Sequence, residues 1–137
     1  MENCIFCKIA KGEIPCHKVY EDDKILAFLD ISQTTKGHTL VITKEHFDNF
    51  LYVPKDLLSQ AISVAQKIAQ ASVTSLNAKG VNILINTNEA AGQTVMHFHI
   101  HVIPRYDEQD HISIEFTPNA IEKLNLPAVA SEIKTNI

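Results

Sequence analysis

The chain has no uninterrupted apolar run of the ~18 residues that a membrane-spanning helix requires, so no membrane partner is expected. It has no block of like charges: 12 basic and 16 acidic residues give a formal charge of -4. A nucleic-acid polymer is held by a concentrated basic footprint, so none is expected here, whereas a small anion held by backbone amides and histidines is compatible with the balance. Met1–Cys4 lacks a basic region, and Lys8 and Lys11 interrupt the first apolar stretch, so no secretory signal is expected. Cysteine is scarce: Cys4, Cys7 and Cys16 are too few and too clustered for a disulfide framework. Repeats, low-complexity tracts and linkers are lacking as well. The expectation is a cytoplasmic protein in a reducing compartment, folded as a single domain over 1–137. At that length folding buries roughly two-thirds of the unfolded surface, enough for a core without staples.

What is present reads as an α+β pattern. Residues 5 to 10 form a helical turn that stops near Gly12. Val19–Tyr20 and Ile25–Leu29 are short strands joined by Glu21-Asp22-Asp23, and His38–Thr43 is a third strand rich in β-branched residues. Leu58, Ala61, Ile62, Ala65, Ile68, Ala69, Val73 and Leu76 recur at helical spacing, which predicts one long helix from about Asp56 to Leu76. Val81–Asn86 and Phe98–Ile103, the latter ended by Pro104, are the fourth and fifth strands, separated by a polar loop from Thr87 to Val95. Pro118–Leu124 and Pro127–Ile133 each predict a short terminal helix begun by proline. Strands grouped around one long helix, without βαβ alternation, give a largely antiparallel five-stranded sheet.

The seven histidines are the unusual feature, three of them within five positions. In His97-Phe98-His99-Ile100-His101-Val102-Ile103 the strand period places His97, His99 and His101 on one face and Phe98, Ile100 and Val102 on the other. Neutral imidazole can attack phosphorus, accept a proton or bind a metal, and three copies need not share one role. A purely structural or solvent-facing set is the bland alternative.

This run, with Gly92-Gln93-Thr94-Val95-Met96 before it and Gly37-His38-Thr39-Leu40-Val41-Ile42 upstream, resembles the histidine-triad superfamily of nucleotide hydrolases and transferases. Ile5–Ile9, Glu13-Ile14-Pro15 and Tyr20–Asp23 resemble the N-terminal half of its Hint branch, so the likeness spans about residues 4 to 104 and leaves out the tail from 105 to 137. The resemblance implies a nucleotidyl-transfer site. His99 corresponds to the family's nucleophile, His101 to the residue that contacts the phosphate and helps protonate the departing amine, and His38 to an additional histidine near the α-phosphate. Gly92, Gln93 and Thr94 correspond to a phosphate-binding loop, Asn86 to a polar amide near the phosphate, and Asp30 to the acid that binds ribose hydroxyls. Ile14, Phe28 and Ile31 match the apolar base pocket, whereas Leu29 departs from relatives with histidine there.

Cys4-Ile5-Phe6-Cys7 has zinc-ligand spacing but is only half a site. The resemblance to the zinc version of the fold completes it with His46 and His97, giving one structural zinc per chain. Cys16, His17 and His111 fit no site and are read as surface or packing residues. The implied activity is cleavage of nucleoside 5′-phosphoramidates of the purine, AMP type at the α-phosphate, through a nucleotidyl-histidine. Alternatives are hydrolysis of diadenosine polyphosphates, as in the Fhit branch with which Pro104-Arg105 is shared, a nucleotide-binding module without turnover, and a zinc hydrolase using all three histidines as ligands. A homodimer with sheets continuing across the interface, its surface supplied by Val81–Asn86 and the long helix, is also implied by the family.

Overall fold

In a computed structural model, which describes residues 3–137, one five-stranded sheet organises the chain. Helix α1 (Ile5–Ala10) is followed by β1 (Lys18–Glu21), β2 (Ile25–Leu29), β3 (Thr39–Thr43), α2 (Lys55–Leu76), β4 (Gly80–Leu84), β5 (His99–Arg105) and α3 (Leu126–Thr135). The strand order is β1-β2-β3-β5-β4 with every pairing antiparallel. The expected architecture is therefore present.

Strand alternation divides the interior into two layers. Ile25, Ala27, Val41, Phe98, Ile100 and Val102 pack beneath α2 with its Ala61, Val64, Ala65 and Ile68. Leu26, Phe28, Leu40 and Ile42 face the other way and are covered by Phe6 and Ile9 of α1. Burying each large aliphatic side chain contributes about 1.5–3 kcal/mol, so α2 is held mainly by one stripe, and Val64→Asp breaks it. At its end Asn77 takes the left-handed conformation that closes a helix, with φ 61°. Among the described residues no helix is long and apolar enough to cross a membrane.

Several boundaries differ from expectation, among them β4, which ends at Leu84 and not at Asn86. β5 does not stop at Pro104 but runs on to Arg105: β3 pairs with it only as far as Val102, so the missing proline N–H is not needed on that side. His97 and Phe98 precede the strand proper, in a bend held by the Phe98 N–H donating to the Phe47 carbonyl at 2.7 Å. The helix expected at Pro118–Leu124 shrinks to a single 3₁₀ turn at Ile121–Lys123, because that segment packs against nothing that would extend it.

Candidate active site and metal cluster

The histidine face of β5 lies on the α1 side of the sheet. There the ring of Phe6 stands edge-on to His97 and His99, with centroids 5.9 and 5.1 Å apart. The three histidines then diverge, each held by a different neighbour.

His97 is fully buried, and its Nε2 lies 2.6 Å from the Thr43 carbonyl, which can only accept. The proton therefore sits on Nε2, and Nδ1 presents a lone pair. That Nδ1 lies 3.3 Å from Cys4 Sγ, 3.5 Å from Cys7 Sγ and 3.2 Å from His46 Nδ1. His46 is set the same way, its Nε2 donating to Asp48 Oδ1 at 2.8 Å, so two ring lone pairs face one another beside two thiols. Only the thiol hydrogens of Cys4 and Cys7, each 3.3 Å from one of these nitrogens, or a cation can satisfy both lone pairs. The donor atoms of Cys4, Cys7, His46 and His97 all lie within 4.8 Å of one another, and a Cys₂His₂ set matches tetrahedral zinc chemistry. Burial raises the Cys7 thiol above its ordinary value, an effect that a bound cation would reverse.

His99 is oriented by its own strand. Its Nδ1 donates to the His97 carbonyl at 2.7 Å, which leaves the Nε2 lone pair free. Burial holds the ring below the ordinary imidazole range, so it is neutral near pH 7. His99 and His101 close one end of a cavity of about 280 Å³, whose walls include Ile14, Cys16, Phe28, Asp30, Ile31 and Thr94. A broader depression of about 660 Å³ lies outside the metal cluster, beside Cys4, His46, Asp48 and Met96. It touches neither His99 nor His101, so the smaller apolar cavity is the candidate active site.

Behind His101 stands His38. The Thr34 N–H donates to His38 Nδ1 at 3.3 Å, which places the His38 proton on Nε2, and that group donates to His101 Nδ1 at 2.9 Å. His101 then points an Nε2–H donor forward. Burial, with His99 and His38 adding to it, holds His101 down at about 4; burial also lowers His38, opposed by the Asp30 carboxylate 3.7 Å away. The close approach of this loop depends on Gly37: at φ +92° an added Cβ would lie 2.6 Å from Leu76 Cδ1.

Several expected site residues thus converge: His38, His99, His101, Asp30, Thr94, Ile14, Phe28 and Ile31 share one region, Ile31 as a rim residue that is 90% exposed. Gln93 does not join them. It is 3% exposed, its Nε2 donates to the carbonyls of Asp48 and Val95 at 2.7 and 3.0 Å, and its Oε1 accepts from the Asn88 N–H. Its side chain braces the loop and has nothing left to offer a ligand. Asn86 and Gly92 also lie off the cavity wall, with Asn86 Nδ2 3.5 Å from the Gly92 carbonyl. Cys16, read as packing, lines the cavity, as do Phe6 and Leu29. No sequence signal marked Phe6 or Cys16, because an apolar pocket wall and an ordinary core have the same composition; Leu29 stands where the resemblance placed a pocket position. The set of three histidines as common ligands is overturned: among the described residues His97 clusters with the cysteines and His101 with Asp30 and His38. His17 and His111 are exposed, as expected.

The comparisons with known proteins agree with this geometry. The family model described as HIT domain matches residues 11–108. The Protein hit of Bacillus subtilis is 53% identical over 109 residues, covering 80% of this chain and 75% of that protein. The adenosine 5′-monophosphoramidase hnt1 of Schizosaccharomyces pombe is 36% identical over 98% of both chains. The crystal structure of a HIT family protein from Bacillus anthracis superposes with a TM-score of 0.92 at 48% identity, over 99% of this chain and 98% of that one. A zinc-bound histidine triad family protein from Mycobacterium smegmatis superposes with a TM-score of 0.76 at 38% identity, over 99% of both. A match across most of the chain, meeting a fold and a histidine arrangement reached independently, leaves one conclusion: this chain belongs to the HIT-domain, or histidine-triad, family.

Proposed function

We propose that the chain hydrolyses nucleoside 5′-phosphoramidates of the purine type, releasing the nucleoside monophosphate through a nucleotidyl intermediate on His99. The observation that carries this reading is the 2.7 Å bond from His99 Nδ1–H to the His97 carbonyl, which aims an unprotonated Nε2 into a cavity lined by apolar side chains and one carboxylate. The base packs among Ile14, Phe28 and Ile31, and the ribose hydroxyls meet Asp30. His99 Nε2 attacks the α-phosphorus while the P–N bond to the leaving amine breaks. The anionic phosphate draws one added proton onto the His38–His101 pair, and His101 Nε2 delivers it to the leaving nitrogen. Water then attacks the phosphorus of the intermediate, gives its proton back to His101, and His99 is released. The activity of the fission-yeast relative supports the same chemistry.

Cys4, Cys7, His46 and His97 would hold zinc as a closed four-ligand shell, which ties the N-terminal helix to the strand carrying the nucleophile and leaves no position for activating water. Two thiols set to hold a metal suit a reducing, cytoplasmic setting. We also propose a homodimer formed through the β4 edge. The Fhit-type alternative rests on Pro104-Arg105; here Arg105 donates to Asp110, Asn82 and the Ile112 carbonyl and lies outside the candidate cavity's lining. Incubation with adenosine 5′-phosphoramidate followed by acid-denatured mass spectrometry tests the proposal. Release of AMP by the parent chain with none from His99→Ala supports it; equal release from both contradicts it, and binding without release makes the chain a nucleotide-binding module.

A further inference from the structure

Part of the cavity lining comes from residues 5 to 16, through Ile5, Phe6, Ile9, Ile14 and Cys16, while Phe28 and His99 of the sheet supply another part. Few bonds hold that segment in place. Among the described residues, every hydrogen bond from residues 3–16 to the rest of the chain runs through the thiols of Cys4 and Cys7, to His46 and His97. The N–H groups of Lys8, Lys11, Gly12 and Glu13 donate within the segment, and the first main-chain bond to the sheet is that of the Leu29 N–H to the His17 carbonyl. Apolar contact does the rest, with Phe6 and Ile9 buried against Leu26, Phe28, Leu40 and Ile42. Helix α1 has 6 residues, well short of the ~12–15 at which an isolated helix begins to hold in water. It therefore exists only where it is docked, and its docking depends on what Cys4 and Cys7 hold.

Phe6 stands between the two cysteines in sequence and touches both sites. Its ring lies edge-on to His97, His99 and Phe28, with centroids 5.9, 5.1 and 5.8 Å away. His97 belongs to the metal cluster, Phe28 and His99 to the cavity. One docked position of α1 thus completes both. We infer that the cluster of Cys4, Cys7, His46 and His97 is an effector site for the cavity, metal and nucleotide binding with positive linkage because both require α1 docked. Without metal, α1 is docked for only part of the time. Ligation by Cys4 and Cys7 selects the docked state, and a nucleoside packing on Phe6 and Ile14 selects the same one. Whichever binds first removes part of the ordering cost of the second. The coupling is reciprocal, so metal tightens nucleotide by the factor with which nucleotide tightens metal. It acts on binding and not on the chemical step, since the His99 Nδ1–H is held by the carbonyl of His97, two residues away on its own chain segment. Nucleotide capture then follows metal supply, and bound nucleotide retains the metal against competing chelators.

The inference rests on the nucleotide reading of the cavity, and one set of measurements separates the two. Under reducing conditions AMP is titrated calorimetrically into the zinc-loaded chain, the chelator-stripped chain and Cys4→Ser/Cys7→Ser. Zinc affinity is measured by chelator competition with and without AMP, at buffered free zinc so that AMP's own hold on the metal is counted. Hydrogen exchange follows the α1 amides of Lys8 and Lys11 beside those of β2 and β3. The expected result is AMP binding tighter by about fivefold or more in the zinc-loaded chain than in the other two, with zinc affinity raised by the same factor when AMP is present. Protection of α1 falls on stripping and partly returns with AMP, while the sheet stays protected. In Cys4→Ser/Cys7→Ser the KM for adenosine 5′-phosphoramidate rises and kcat at saturation holds, a split that a general loss of folding would not give. Equal AMP affinity in all three chains overturns the linkage and leaves the nucleotide reading standing. Failure of the zinc-loaded chain to bind AMP overturns both. Loss of sheet protection together with that of α1 on stripping also overturns the linkage, because the metal then holds the whole fold and not one wall of the cavity.

Discussion

Two groups of side chains of nearly the same kind gather around His97 and His101, two members of one histidine run, and the hydrogen bonds behind them set their nitrogens differently. In the cluster of Cys4, Cys7, His46 and His97 each imidazole donates its Nε2–H outward, to the Thr43 carbonyl or the Asp48 carboxylate, so the inward nitrogens are all acceptors. In the cluster of Asp30, His38 and His101 the Thr34 N–H takes up the His38 acceptor, and a proton fills the 2.9 Å gap between the two rings. The second group also has donor atoms within 4.8 Å of one another, yet its ring-to-ring hydrogen bond occupies nitrogens that a metal would need. Ligand type and distance therefore do not decide whether a cluster takes a metal. The partner on the far side of each ring does.

Substitutions can break this contrast. Replacing both thiols, Cys4→Ser/Cys7→Ser, should abolish stoichiometric metal binding, read by native mass spectrometry, yet leave phosphoramidate turnover within about tenfold, since a closed shell activates no water. A loss of turnover equal to that of His99→Ala would place the metal in the reaction. His38→Gln should do the reverse: metal content unchanged, and kcat lower by roughly 10² as the proton route to His101 is cut. Unaltered kcat in that variant would remove His38 from the chemistry.

His101 is one source of pH dependence in folding, held at about 4 in the native chain against 6.5 for an exposed imidazole. Between those values the unfolded chain takes up a proton that the folded chain refuses. Stability is therefore full above pH 6.5 and falls as the pH approaches 4, by up to roughly 3 kcal/mol for this one group. Urea titrations across that window measure it, and His101→Asn should reduce the slope, to which His38, His97 and His99, all lowered by burial, also contribute. The smallest effect is expected from Asp48→Asn, which weakens the anchor behind His46 and should lower metal affinity about 10–100-fold with kcat unchanged.

Much of this was legible before any coordinates. The alternation His97–Phe98–His99–Ile100–His101 announced a strand with one apolar face, and the apolar face indeed packs under α2. The period from Leu58 to Leu76 located α2 to within a residue at its start. Other features were hidden for physical reasons. Gln93 sits in a polar loop, and nothing in an amide side chain tells which backbone groups it will meet, so a brace looked like a ligand contact. Cys16 and Phe6 line the cavity with the same atoms that would fill a core. In the tail the short helix at Pro127–Ile133 was readable from its leading proline, but the absence of anything beneath it is a property of three dimensions. The tautomers of His97, His99 and His38 were out of reach, because they are set by backbone carbonyls and amides that carry no sequence signal.

The central claim is that the proton on His99 Nδ1 leaves Nε2 as the nucleophile, apart from the metal held one alternation earlier on the strand. Intact-protein mass spectrometry after brief, quenched mixing with adenosine 5′-phosphoramidate tests it directly. The account predicts an adenylyl adduct mapping to His99, formed equally by the parent chain and by Cys4→Ser/Cys7→Ser and absent in His99→Ala. An adduct that maps to His97 or His101, or AMP released at undiminished rate by His99→Ala, would contradict it.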